Sequence, residues 1–161
     1  MLHHVITLPN DHLRVKSRVL SDTEIASSEI QQLILEMKQT MKQENGVGLA
    51  APQIDKSIRL IIAQTENGNE AFINPKIVGT SIRMVDSEEG CLSIPGVWGI
   101  VKRHRSVKVI AKNDKGETVE IEARGLLSII FQHEIDHLDG ILFIDRAHTL
   151  KEPSTIQGNV V

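Results

Sequence analysis

The chain has 161 residues, 40% of them apolar and 24% charged, which bounds it to one globular domain with a core of its own. Its formal net charge is −3, its basic residues are scattered, and aromatic residues make up only 2%, which argues against a nucleic-acid face built on charge or base stacking. A single cysteine, Cys91, excludes an intramolecular disulfide and fits a reducing compartment.

Residues 1–20 read as an extended arm. Ser21 and Glu24 stand at capping-box spacing. Ile30, Leu33, Ile34, Met37 and Met41 then mark one face of an amphipathic helix, expected over about 22–44 and ended by Asn45-Gly46. Short strands are expected at 58–63, near 70–74 and over the β-branched stretch 76–86. Trp98, following Pro95-Gly96-Val97, is read as lying in a loop. Residues 105–112 and 117–123 form the clearest hairpin, with Val107, Val109 and Ala111 alternating against lysines around the turn Asn113-Asp114-Lys115-Gly116. The segment 125–138 is apolar nearly all round, the mark of a buried helix. The tail, about 146–161, is polar, contains Pro153 and is expected to have little order. Strands in the middle with helices on their flanks predict an α+β fold: mostly antiparallel sheets packed around a buried central helix, with an N-terminal amphipathic helix, in a single domain over 1–161. No apolar run approaches the ~20 residues of a membrane span. With no signal-peptide pattern at the N-terminus, the expected location is cytoplasmic; an organellar protein already cut would look the same.

The chemistry is concentrated in His133-Glu134-Ile135-Asp136-His137. On a helix, residues four apart lie about 40° apart around the axis and about 6 Å along it, so both imidazoles face one spot. That is how two His hold a divalent metal while the adjacent carboxylate is left to handle a proton. The competing reading is two histidines satisfied by backbone partners. A metzincin carries its third His where this chain has Phe143, so a third ligand must come from elsewhere. Cys91, in Glu89-Gly90-Cys91-Leu92-Ser93, supplies it once the two-His site is granted; by itself it reads as a small buried hydrophobe. The third segment, Gly46-Val47-Gly48-Leu49-Ala50-Ala51-Pro52-Gln53, lacks the Lys-Ser or Lys-Thr of a phosphate loop. Its small residues permit close backbone approach, and Gln53 can offer an N–H to a developing oxyanion.

Taken together and in order, GVGLAAPQ, EGCLS and HEIDH resemble the three signature motifs of the peptide deformylases, and the resemblance runs from LPNDHLR to about residue 146. It implies a metal-dependent hydrolase that removes the N-formyl group from the initiator methionine of nascent polypeptides and releases formate. It implies Cys91, His133 and His137 as ligands of one divalent ion, with Fe(II) expected in the cell and Zn(II), Ni(II) or Co(II) able to replace it. It makes Glu134 the general base, and Gln53 and the Leu92 N–H the oxyanion donors. Val47, Gly48, Gly90, Ile129, Ile130 and Trp98 are implied at the substrate, and Glu89 is implied to pair with Arg103. The expected partners are N-formylmethionyl peptides and nascent chains, with at most a transient ribosome contact, for a monomer that binds neither nucleic acid nor membrane. The rival readings are a small zinc endopeptidase and a binding protein that captures formylated N-termini without turnover.

Overall fold

The computed structural model describes residues 2–151 and Val160. In chain order the elements are a 3-10 turn at Asp11–Arg14, α1 (Asp22–Ile25), α2 (Ser28–Gln43), β1 (Gly48–Ala50), a second 3-10 turn at Ala51–Ile54, β2 (Leu60–Thr65), β3 (Gly68–Thr80), β4 (Met84–Cys91), β5 (Ile94–His104), β6 (Ser106–Lys112), β7 (Thr118–Arg124), α3 (Leu126–Leu138), α4 (Phe143–Arg146) and β8 (Thr149–Lys151). The strands pair antiparallel into a five-stranded sheet, β1-β2-β3-β6-β7, and a three-stranded sheet, β4-β5-β8. The architecture is the expected α+β one, with α3 buried against both sheets.

The helix expected over 22–44 is two helices. The capping box forms, with Ser21 Oγ accepting from the Glu24 amide and the Glu24 carboxylate accepting from the Ser21 amide. Ser27 then breaks the run: its Oγ donates to the Glu24 carbonyl at 2.6 Å and accepts from the Ile30 amide, ending α1 and capping α2. Asn45, at φ 55°, is the left-handed residue that ends α2, and Gly46 N–H donates back to the Met41 carbonyl at 3.0 Å. The apolar face of α2 packs with Leu49, Leu60, Ile62 and Ile73 in one core cluster, on one face of the five-stranded sheet. The alternate positions Ala50, Ile61, Ala63, Phe72, Val107 and Val109 point the other way, toward Ile130, Phe131, Ile135 and Leu138 of α3.

Two expectations change around the smaller sheet. The stretch 76–86 is not one strand: β3 ends at Thr80 and β4 begins at Met84. Trp98 lies in a strand, because β5 runs the whole length of β4 from the Cys91–Ile94 pair to the Met84–His104 pair. Pro95, Gly96 and Gly99 conceal that strand from a pattern reading. Gly99 has a packing cause: a Cβ there would lie 3.0 Å from Ala147 Cβ and 3.2 Å from Phe143 Cε2, where α4 leans on β5. In the tail, Thr149–Lys151 forms β8 on the outer edge of β5, where little order was expected; residues 152–159 and 161 lie outside the described residues. Among the described residues, no helix is long and apolar enough to cross a membrane.

Candidate metal centre

Helix α3 is buried from Ser128 to Leu138, so its polar residues must find partners inside the protein. His133 and His137, one turn apart, face the same way, their ring centroids 5.1 Å apart. Cys91 closes β4, just past a break in register after Gly90, and a local irregularity of that kind re-aims a strand-end side chain. One ligand atom from each of Cys91, His133 and His137 lies within 4.8 Å of the others, with Cys91 Sγ 3.3 Å from His137 Nε2. All three residues are buried. Phe143 stacks on the His133 ring, with centroids 6.0 Å apart, so a side chain does occupy the metzincin position but without a donor atom.

The orientation of His133 is set from behind. Its Nδ1 donates to Glu89 Oε1 at 2.8 Å, which leaves Nε2 as the bare nitrogen, with no partner among the described residues. Glu89 is wholly buried and gripped by Arg103, whose Nε and Nη2 donate to its two oxygens at 2.9 and 2.8 Å. Burial acts to raise the Glu89 carboxyl, but the Arg103 fork and then His133 outweigh it and hold the group at about 2. Arg103 Nη1 also donates to Asp136 at 2.7 Å, and Asp136 accepts from Arg146 at 2.7 and 2.8 Å. A line of alternating charge thus joins β4, β5, α3 and α4 behind the two imidazoles.

Burial pushes the Cys91 thiol up, and the neighbouring Glu134 and Glu89 charges push it further. Burial, then His133 and Arg103, hold His137 neutral. The donor set is therefore one thiol and two imidazoles, that of His137 held neutral, with the unpartnered His133 Nε2 among them. Sulfur and two nitrogens on three corners fit a zinc- or iron-type ion with a fourth position left open. Binding such an ion would release the thiol proton.

Glu134 is fully buried, and neither of its oxygens has a partner among the described residues. Burial and the charge of Glu89 push its carboxyl well above the ordinary range. The backbone of Gly48 roofs it: a Cβ at that position would lie 2.9 Å from Glu134 Cδ and closer still to Oε1. Gln53 closes another side. Its Oε1 accepts from the Ala50 amide at 2.8 Å, which fixes the side chain, and its Nε2 donates to Ser93 Oγ at 3.2 Å and lies 3.6 Å from Cys91 Sγ. One buried cluster thus brings together three metal-type donors, a carboxylate without a partner among the described residues and an amide N–H.

A family model described as polypeptide deformylase matches residues 2–153. The chain belongs to the polypeptide deformylase family. It is 42% identical over 147 residues to a peptide deformylase of Desulforudis audaxviator, covering 91% of this chain and 94% of that one. The crystal structure of a Thermotoga maritima peptide deformylase aligns at a TM-score of 0.88 and 35% identity, covering 92% of this chain and 99% of that one. A Synechococcus elongatus peptide deformylase in complex with actinonin aligns at 0.86 and 39% identity, covering 91% and 79%. As a member of this family the chain is an enzyme, a hydrolase that removes the formyl group from N-formylmethionyl peptides.

The remaining residues expected at a deformylase site fall unevenly around the cluster. Leu92 follows Cys91 in the turn between β4 and β5. Val47 and Gly48 lie at the start of β1, and Gly90 precedes Cys91. Trp98 lies with its indole on Gly90, where a Cβ would be 3.0 Å from Cδ2 and Cε2. It is half-buried and opens onto a small concavity with Cys91, Leu92 and Val97. Ile130 packs in the core between α3 and the five-stranded sheet, whereas Ile129, 8% exposed, lies outside the core clusters. The pairing of Glu89 with Arg103 is present. Asp136, the fourth residue of HEIDH, is the buried junction of two arginines, and Ser93, the last residue of EGCLS, is a partner of Gln53 to which the sequence reading gave no role. Its place two residues after the single cysteine was the signal available.

Proposed function

We propose that this enzyme deformylates nascent polypeptides with Cys91, His133 and His137 as metal ligands and Glu134 as general base. The observation that carries the reading is the buried convergence of one sulfur and two imidazoles, with the buried Glu134 carboxylate left without a partner among the described residues. A divalent cation held there, Fe(II) in the cell with Zn(II), Ni(II) or Co(II) as substitutes, supplies a Lewis acid that acidifies water and polarises the formyl carbonyl.

The chain's own groups do the rest. Glu134, raised in basicity by burial, takes the proton of the attacking water and passes it to the amine as the carbon–nitrogen bond breaks. Formate and a free N-terminal methionine leave. The Gln53 Nε2–H and the Leu92 backbone N–H hold the oxyanion of the tetrahedral intermediate; one such donor is typically worth about 3 kcal/mol of barrier. Glu89 keeps His133 in the tautomer that offers Nε2. The substrate backbone lies extended between Val47-Gly48 and Gly90, as a strand added at a sheet edge. Ile129, Ile130 and Val47 take the methionine side chain, and Trp98 faces the residues that follow it. We place the enzyme in the cytoplasm, working as a monomer with at most a transient ribosome contact.

Formate release from formyl-Met-Ala-Ser, measured anaerobically with freshly added Fe(II), tests this. Glu134→Gln is expected to keep the metal and lose roughly 10²–10⁴-fold in kcat; near-normal turnover would remove the proposed base. Actinonin, the compound in the S. elongatus complex, is expected to inhibit the ferrous enzyme. Cleavage of casein without formate release would favour an endopeptidase instead.

A further inference from the structure

The two sheets present their edges to each other at the site. β1 is the edge of the larger sheet, paired only with β2, and β4 is the edge of the smaller one, paired within it only with β5. Among the described residues, one other piece of chain lies between them. Val47 N–H donates to the Val160 carbonyl at 3.2 Å, and Gly90 forms a parallel β-bridge with Val160. Val47 adjoins the glycine that roofs Glu134, and Gly90 adjoins Cys91. Val160 is half-buried and lines the concavity of Cys91, Leu92 and Trp98.

The contact is within reach of the same chain. β8, ending at Lys151, sits on the far side of β5 from β4. Crossing from β8 past β5 and β4 to the slit covers three strand spacings, about 14 Å. Nine residue steps from Lys151 to Val160 span up to about 30 Å.

We infer that Val160 is an intramolecular competitor of the substrate, which must leave the slit between β1 and β4 before a formylated N-terminus can pair there. The inference rests on the proposed placement of the substrate backbone between Val47-Gly48 and Gly90. It makes the apparent KM larger than the intrinsic one by the inverse of the tail-free fraction and leaves kcat unaltered.

The test compares the parent protein with Val160→Pro, which removes a strand N–H, and Val160→Asp, which puts a carboxylate into the concavity. Hydrogen exchange of the Val47 amide, followed by NMR, is expected to be slow in the parent and about tenfold or more faster in both variants. KM for formyl-Met-Ala-Ser is expected to fall roughly three- to tenfold with kcat unchanged. Equal Val47 exchange in all three proteins overturns the inference. Faster exchange with an unchanged KM also overturns it, since the tail would then dock without competing. A KM that varies with enzyme concentration would assign the segment to a second copy and overturn the intramolecular competition. If no protein releases formate, the deformylase reading of the site has failed, and Val47 exchange still decides whether the tail occupies the slit.

Discussion

Gly48 is small because of Glu134, and this is a different reason from the one its motif suggests. Sequence reasoning reads the glycine as room for a substrate backbone; the geometry adds that a methyl group there would press on the carboxylate below. Gly48→Ala is therefore expected to retain its metal but lose about 10²-fold in kcat, the cost of displacing the proposed base by about an ångström. Metal content and steady-state kinetics measured on one preparation separate this from misfolding. Glu89 gives a second prediction at the same scale. Glu89→Gln keeps an acceptor for His133 but removes the charge facing Arg103. Breaking such a buried pair costs about 3–5 kcal/mol, to be read as a lower urea midpoint with unchanged m. A midpoint within error of the parent would mean that Asp136 alone neutralises Arg103.

Among the elements, legibility followed pattern and failed where tertiary packing replaced it. The β6–β7 hairpin was readable because alternation and turn chemistry agree: Asn113 Oδ1 accepts from the amides of Lys115 and Glu117 and closes the loop. Helix α3 was readable because its continuous apolar run has no solvent face. β5 was not, since Gly99 answers to α4 and Gly96 to a positive φ of 76°, neither of which belongs to a strand pattern. The three motifs put the ligands in view, but Glu89, Arg103, Asp136 and Arg146 come from four separate segments, and their pairing was legible only in part. The end of α3 carries its own prediction. Gly140, at φ 73°, donates to the His137 carbonyl while Ile141 donates to that of Asp136, a Schellman closure, and a Cβ on Gly140 would lie 2.8 Å from the Arg14 carbonyl carbon. Gly140→Ala is expected to cost more than the about 1–2 kcal/mol of the left-handed backbone alone, because the Asp11–Arg14 turn must also move. Denaturant unfolding measures this, and a loss under 1 kcal/mol would show that the turn yields freely.

For the molecule as a whole, the proposed ligands come from both halves of the fold: Cys91 from the smaller sheet, His133 and His137 from the helix that packs on the larger one. A metal there ties the two layers, and ligand binding to the native state adds RT ln(1 + [L]/Kd) to stability. Stripping the metal with a chelator is expected to lower Tm, with the amides of β4 and β5 losing protection before those of β2 and β3. Uniform loss of protection would mean that the two sheets unfold as one unit regardless of the ion.

The slit itself is walled by Val47, Gly48 and Gly90, two of them without side chains. A reader made of amides and carbonyls is blind to spelling. On the proposed placement of the substrate, its backbone would be gripped there whatever its side chains, and any selection beyond the first residue would be left to Trp98. A backbone grip of that kind would suit an enzyme that has to accept many different N-terminal sequences.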